Sequence, residues 1–373
     1  MKFIVSSTAL ASRLTAESRV INSKNTLPAL ECFLLDLDGN ALTITASDGE
    51  TTIITTVETT ESEGKGRIAI QARTLLEALK EIPEQPITFT INPITLEVTV
   101  DYLNGKYKLV GQNADEYPNG IVASPEAINL DIEASLLLAG ISRTLFATAE
   151  DELRPVMNGI YVDMTDQSIT FVASDGHKLV RFTSTAAHAP ERSAFILPKK
   201  PAALLRGLLP REEGTVKVSF DKRNAFFLME GYTLICRLIE GRYPNYNSVI
   251  PKESPYHMVA DRQLMLSALK RVSVFSSSSS LVKLHLSIDQ IMVSTQDYDF
   301  STSAEETVNC QYEGNDMSIG FKSTFLIDIL ANLPGEEVTM ELSDPSRAGI
   351  LTPTEQSETE SLIMLIMPMM LND

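Results

Sequence analysis

Asp175, His177 and Lys178 stand within four residues of one another, so a carboxylate, an imidazole and an amine lie near enough along the chain to trade protons. This is the best foothold for acid–base catalysis in the sequence. The turn that carries it occurs twice, however. Ala173-Ser174-Asp175-Gly176 repeats Ala46-Ser47-Asp48-Gly49, and the earlier copy runs on into Glu50 and Thr51 with neither histidine nor lysine. Asp-Gly between alternating apolar segments favours a tight hairpin turn. A turn that persists without its reactive groups reads as structure first. No nucleophile elbow, glycine-rich phosphate loop or paired metal ligands occur elsewhere. Cys32, Cys236 and Cys310 are scattered, and an odd number cannot all pair, so they are expected to be buried, inert thiols. His177, His188, His257 and His285 have no second ligand at helical spacing. The expectation is a protein that is not an enzyme and holds neither metal nor cofactor.

The elements that position this turn repeat along the chain. The two Ala-Ser-Asp-Gly segments are 127 residues apart. A helix-like apolar run ending on Leu-Pro or Ile-Pro and followed by acids recurs at Pro83, Pro210 and Pro334, separated by 127 and 124 residues. Glu116-Tyr117-Pro118-Asn119 returns as Arg242-Tyr243-Pro244-Asn245, with the tyrosines 126 apart. Three unrelated landmarks keep one period, which divides the chain into units 1–124, 125–251 and 252–373. In each, apolar spacing predicts a first amphipathic helix (8–20, 132–147, 261–275) and a second (72–82, 199–209, 322–333). Short alternating strands at 42–46, 96–100 and 216–220 fall between and after them. The fold class is α+β, with two helices against antiparallel sheet in every repeat. Residues 63–66 and the serine run 276–280 read as turns or loops.

Hydrophobic residues form 43% and charged residues 21% of the 373, a composition that folds and is far from the disordered class. No apolar run reaches the roughly 20 residues that span a bilayer, and the N-terminus turns polar too soon for a signal peptide, so the expectation is cytoplasmic with no membrane contact. The net charge of −18 opposes binding to any polyphosphate and favours a small-molecule enzyme or a protein scaffold. Its distribution tells otherwise. The helix-bearing segments with their flanks, 8–24, 72–82, 131–149, 198–209, 260–275 and 320–333, carry 13 basic and 7 acidic residues, leaving the remainder far more acidic. Helices sharing one wall would make a mildly positive lining inside a negative exterior.

Arg154-Pro155-Val156-Met157-Asn158-Gly159, Ala173-Ser174-Asp175-Gly176-His177-Lys178-Leu179, Gly241-Arg242-Tyr243-Pro244-Asn245-Tyr246 with Val249-Ile250-Pro251, and Met367-Pro368-Met369-Met370-Leu371 resemble, in order and spacing, signature segments of the bacterial DNA polymerase III β subunit. Met1-Lys2-Phe3 and Thr26-Leu27-Pro28 add to the likeness. The resemblance implies a head-to-tail homodimer in which two three-domain crescents close a ring around double-stranded DNA, independent of sequence. A ring is held by topology, so its wall needs only weak phosphate contacts.

The resemblance also implies an apolar pocket between the second and third domains. Short linear peptides dock there from the replicative polymerase α subunit, the clamp loader, other DNA polymerases and repair proteins. Its positions here are Arg154 and Met157; Ser174, Gly176, His177, Lys178 and Leu179; Pro244 and Val249; Lys322 and Phe325; and Met367, Pro368 and Met369. Flexible, polarizable methionines suit a site shared by several ligands. DNA contact is expected at Lys24, Arg73, Lys199, Lys200 and Arg206, and the dimer interface where Tyr107 and Leu109 meet Val274 and Phe275. Without the resemblance, residues 362–371 read equally as an edge strand feeding the core.

Departures from the family pattern bear on specificity. Pro155-Val156 replaces aromatics common before the Met-Asn-Gly element, Ser248 stands where arginine is frequent, Met370 is often basic, and Asn372-Asp373 extend past the usual terminal leucine. The rival to a clamp is an acidic protein-binding scaffold that never encircles DNA.

Overall fold

Local capping chemistry starts several of the helices. In the computed structural model, which describes residues 1–25, 27–118 and 120–371, Ser6 Oγ accepts from the Ala9 amide at 3.1 Å. Asp261 Oδ1 accepts from Leu264 at 2.7 Å. Such caps each contribute about 1 kcal/mol. Thr26, Asn119, Asn372 and Asp373, which belong to segments quoted above, lie outside the described residues.

The helices are α1 (Ser7–Glu17), α2 (Ala72–Lys80), α3 (Ala134–Thr144), α4 (Lys199–Leu208), α5 (Arg262–Ser273) and α6 (Ser323–Asn332). They fall on the six predicted segments but are shorter. Past α1 the Val20 amide bonds back to Glu17 at 3.0 Å, an i to i+3 tightening that ends the α-helix. The predicted helix over 132–147 loses two residues to the strand Ile128–Glu133 and three to the 3-10 turn Leu145–Ala147. The strand expected from Leu96 begins instead at Glu97, because Leu96 has φ of 59° and belongs to the preceding turn.

All strand pairing among the described residues is antiparallel, and the chain divides into two compact units. The first comprises residues 1–138 and 203–238. It holds a five-stranded sheet ending at the edge strand Gly105–Val110, and an eight-stranded sheet. In the latter, Thr51–Glu58 pairs with Thr233–Arg237, so the sheet of the first repeat runs on into the last strand of the second. Helices α1 and α2 pack on each other, and Leu10, Leu14, Leu75 and Leu79 are buried beneath them.

The second unit comprises residues 139–202 and 239–373 and contains one twelve-stranded sheet. Here Lys178–Ser184 pairs with Glu360–Ile366, again joining one repeat to the last strand of the next. Glu360–Ile366 also pairs with Gly349–Pro353, so it is a central strand and not an edge. The strand Thr302–Tyr312 pairs with Gln290–Asp297 along residues 302–309 and reaches a second neighbour only at residues 310–312. Among the described residues, its first eight positions leave one side open.

Candidate functional site

The two Asp-Gly turns are superposable in their bonding. Ser47 Oγ accepts from Gly49 and Ser174 Oγ from Gly176, both at 3.1 Å. Asp48 Oδ1 accepts from the amides of Glu50 and Thr51, and Asp175 Oδ1 from those of His177 and Lys178. Gly49 and Gly176 have φ of 93° and 91°, which only glycine adopts freely. The turn reading therefore holds.

At the second turn the reactive groups are committed. Lys178, 5% exposed, places Nζ 2.6 Å from Asp175 Oδ2 and 4.5 Å from the centre of the Phe325 ring. Burial pulls the Asp175 carboxyl upward, but the Lys178 ammonium and the two turn amides outweigh it and hold the group below the usual carboxylate range. Lys178 is thus buried and held by the turn's own carboxylate.

Phe325, in the first turn of α6, gathers the surrounding side chains. The His177 ring stacks on it with centroids 5.5 Å apart, and Lys322 Nζ lies 4.8 Å from its centre. Arg154 bonds Asp151 Oδ2 at 2.7 Å and reaches the Asp175 carbonyl at 3.4 Å. After the strand Glu360–Ile366, the Met367 amide donates to the His177 carbonyl and the Met369 amide to the Gly320 carbonyl, both at 2.8 Å. The C-terminal segment thus crosses from the turn to the strand before α6. Pro368, lacking a donor, falls between these two bonds.

Leu179, next after Lys178, belongs to a buried apolar cluster with Val172, Ile196, Tyr243, Ala348 and Leu365, against which Val156, Tyr161, Tyr246 and Ile250 pack. Tyr161 and Tyr243 stack at 4.8 Å. The Tyr246 hydroxyl donates to Asp163 at 3.2 Å and is pushed up to about 12 by burial and by that carboxylate. Of the expected pocket residues, Met157 and Leu179 are buried, Ser174 is buried within its turn, and Val249 and Met367 are 52% and 42% exposed. Pro244 and Val249 stand on the loop that contributes Tyr243 and Tyr246 to this cluster. Tyr161 of this cluster carried no expectation from the sequence, and the Tyr-Pro landmark had marked Tyr243 without giving it a role.

The five basic positions differ in setting. Lys24 is exposed on the loop after α1, and Arg206 is exposed near the end of α4. Arg73 pairs with Glu77 at 3.0 Å and Lys199 with Glu150 at 2.6 Å, while Lys200 is half-buried. The count of helix cations needs correction as a measure of free charge. Arg13 bonds the Gly231 carbonyl and covers Tyr232, Arg143 covers Phe182 and pairs with Glu360, and Arg262 bonds the Leu330 carbonyl within α6 and the Gly335 carbonyl beyond it. At the edge strand Gly105–Val110, Tyr107 and Leu109 line a cleft of about 260 Å³ with Leu75 and Leu79. Val274 and Phe275, just past α5, are 78% and 44% exposed.

Two of the three cysteines are buried as expected, but Cys310 is only half-buried; burial raises all three thiols above their ordinary range. Among the described residues, no three His, Cys, Asp or Glu side chains converge to hold a metal ion. Among the described residues, no helix is long and apolar enough to cross a membrane.

Three repeats of paired helices on sheets that run from one repeat into the next define a DNA-clamp fold. Family models for the DNA polymerase III beta subunit match the chain throughout: the N-terminal domain over residues 1–120, the central domain over 131–245 and the C-terminal domain over 247–369. The chain belongs to the DNA polymerase III beta subunit family. It is 27% identical to the beta sliding clamp of Pseudomonas putida and 25% to that of Escherichia coli K12, over the whole of each chain. The crystal structure of a DNA polymerase sliding clamp from Pseudomonas aeruginosa, 26% identical, matches with a TM-score of 0.93 over 100% of both chains. The chain is a non-catalytic sliding clamp of α+β, three-domain architecture, and binding of DNA and of polymerase partners in general follows from that membership.

Proposed function

We propose that two copies of this chain close head to tail into a ring around duplex DNA and confer processivity on the replicative polymerase in the cytoplasm. The domains would be 1–124, 125–251 and 252–373. One observation carries the reading. The same backbone joint is made twice within the chain, and its two halves are each left open once.

In the first joint Thr51 faces Cys236, and the Arg237 amide bonds the Glu50 carbonyl at 2.9 Å. In the second Lys178 faces Ile366, and the Met367 amide bonds the His177 carbonyl at 2.8 Å. The strand Gly105–Val110 is the first-repeat counterpart of Thr233–Arg237, since Gly111 bonds Leu96 just as Leu238, 127 residues on, bonds Arg223. Residues 302–309 are the third-repeat counterpart of Thr51–Glu58. Each open edge seeks a strand. Copying the joint across two protomers sets Leu109 opposite Thr302, Tyr107 opposite Ala304 and Lys106 opposite Glu305, uniting opposite charges. Val274 and Phe275 then supply apolar groups for the cleft at Tyr107 and Leu109.

The pocket around Phe325 would capture short peptides of the polymerase α subunit, the clamp loader, other polymerases and repair proteins. The apolar cluster that includes Leu179, together with Arg154, His177 and Lys322, suits an apolar peptide anchor with polar flanks. Lys24, Arg73, Lys199, Lys200 and Arg206 would touch phosphates. Light scattering tests the assembly: twice the chain mass at micromolar concentration is expected, and a monomer at that concentration overturns the ring.

A further inference from the structure

The hairpin that leads into residues 302–309 differs from its two counterparts at the tip. By the core-facing alternation of Ile291, Val293, Thr295 and Asp297, all buried, Asp297 takes the place of Asp48 and Asp175. It also does their work, with Oδ1 accepting from the amides of Asp299 and Phe300 at 2.9 and 3.1 Å. The Asp48 amide, however, bonds the Thr51 carbonyl and the Asp175 amide that of Lys178, with two residues between, whereas Asp297 is paired with Thr302 across four. The longer tip, Tyr298-Asp299-Phe300-Ser301, carries two aromatics that are 79% and 80% exposed.

We propose that this tip is a clasp between copies of the chain, closing over the exposed end of the edge strand at Val110 of a second copy. The inference rests on the dimer reading. Antiparallel pairing in the register above brings the start of residues 302–309 to the end of Gly105–Val110, so the longer tip projects past Leu109 toward Val110, itself 73% exposed. Parallel pairing would separate these apolar ends, and the strand pairs within the chain, the two joints included, are antiparallel. Charge agrees: Asp299 and Glu305 on the one side would meet Lys108 and Lys106 on the other, Lys106 being shared with Asp101 at 3.1 Å. The Asp297 side chain already holds the tip in its turn, so little ordering is lost on contact. Large aromatics on a rigid turn are the residue types that dominate interface energetics.

The test uses the full chain. Tyr298→Ser with Phe300→Ser should weaken dimerisation roughly 10- to 100-fold by sedimentation or dilution light scattering, with unchanged circular dichroism because both side chains are exposed. The chain has no tryptophan, so Tyr298→Trp gives a single reporter. Its emission should shift to the blue in the dimer and return to the red on dilution to monomer. Unchanged dimer affinity in the double variant, or emission that is identical in dimer and monomer, overturns the clasp. So does a blue shift that appears only on adding duplex DNA or a clamp-binding peptide. A wild-type chain that never dimerises overturns the dimer reading itself and is recognised before any variant is made.

Discussion

The imidazole of His177 lies almost flat on the ring of Phe325, 5.5 Å between centroids and 22° from parallel. One comes from a turn of the second repeat and the other from α6 of the third, so the contact ties the two sides of the proposed peptide site together. With Lys178 and Lys322 also over that ring, Phe325 orders three cationic or ionisable groups by its π-face. Phe325→Ala is expected to weaken binding of a polymerase-derived clamp-binding peptide at least tenfold by calorimetry, leaving dimer mass unchanged. Wild-type affinity in a folded variant would remove Phe325 from the site.

The C-terminal segment gives a second test. Met367→Ala with Met369→Ala keeps the backbone bonds to His177 and Gly320 while removing two flexible apolar side chains. A loss of about 2 to 5 kcal/mol in peptide binding is expected if both are central to the contact. Unaltered affinity would leave them as ordinary cover for the sheet.

Dimerisation should fail when both sides of the joint carry acid. Leu109→Asp with Phe275→Asp places carboxylates at the cleft and at its expected occupant, and a monomer is the expected species in light scattering. A stable dimer would exclude this interface.

Much of this was legible in the sequence, for reasons that can be traced to particular residues. The Asp-Gly turns were readable because their geometry is local: one serine, one aspartate and one glycine satisfy each other. The helices were readable because Leu75 and Leu79, like Leu266 and Leu269, keep helical spacing and are buried. What depends on distant pairing was not. Nothing near residues 360–366 says that they become a central strand, and the alternation of 302–309 does not say which side stays open. Arg13 and Arg143 look like any helix cation until Tyr232 and Phe182 are found beneath them. Lys178 was expected in the peptide pocket, but its burial against Asp175 depends on a carboxylate that the turn sets.

Glu17, at the end of α1, is fully buried, and neither carboxylate oxygen has a hydrogen-bond partner among the described residues. Burial pushes its pKa well above the ordinary 4.5, against weaker opposing pulls from the Thr55 backbone and Arg13. The folded state therefore keeps this proton longer than the unfolded state. Its full stability is present below about pH 4.5 and declines as pH rises from there until the folded group ionises. Glu17→Gln should stabilise the protein by at least ~1 kcal/mol at neutral pH, with the gain vanishing in acid. A melting temperature that responds equally at both pH values would contradict the assignment.

Phosphate binding should appear in the salt dependence of DNA loading. Replacing Lys24, Arg73, Lys199, Lys200 and Arg206 by Ala should flatten the slope of log affinity against log salt by about 0.9 for each phosphate that is no longer neutralised. Arg73 and Lys199 are shared with Glu77 and Glu150, so the change should fall short of that expected for five free cations. An unchanged slope would place the DNA elsewhere.

The central claim is encirclement, and topology separates it from every surface-binding alternative. Clamp loaded onto a closed or nicked circular plasmid should stay bound through gel filtration in high salt, and should run off when one restriction cut linearises the circle. Equal retention on circular and linear DNA, or none on either after loading, would contradict the ring.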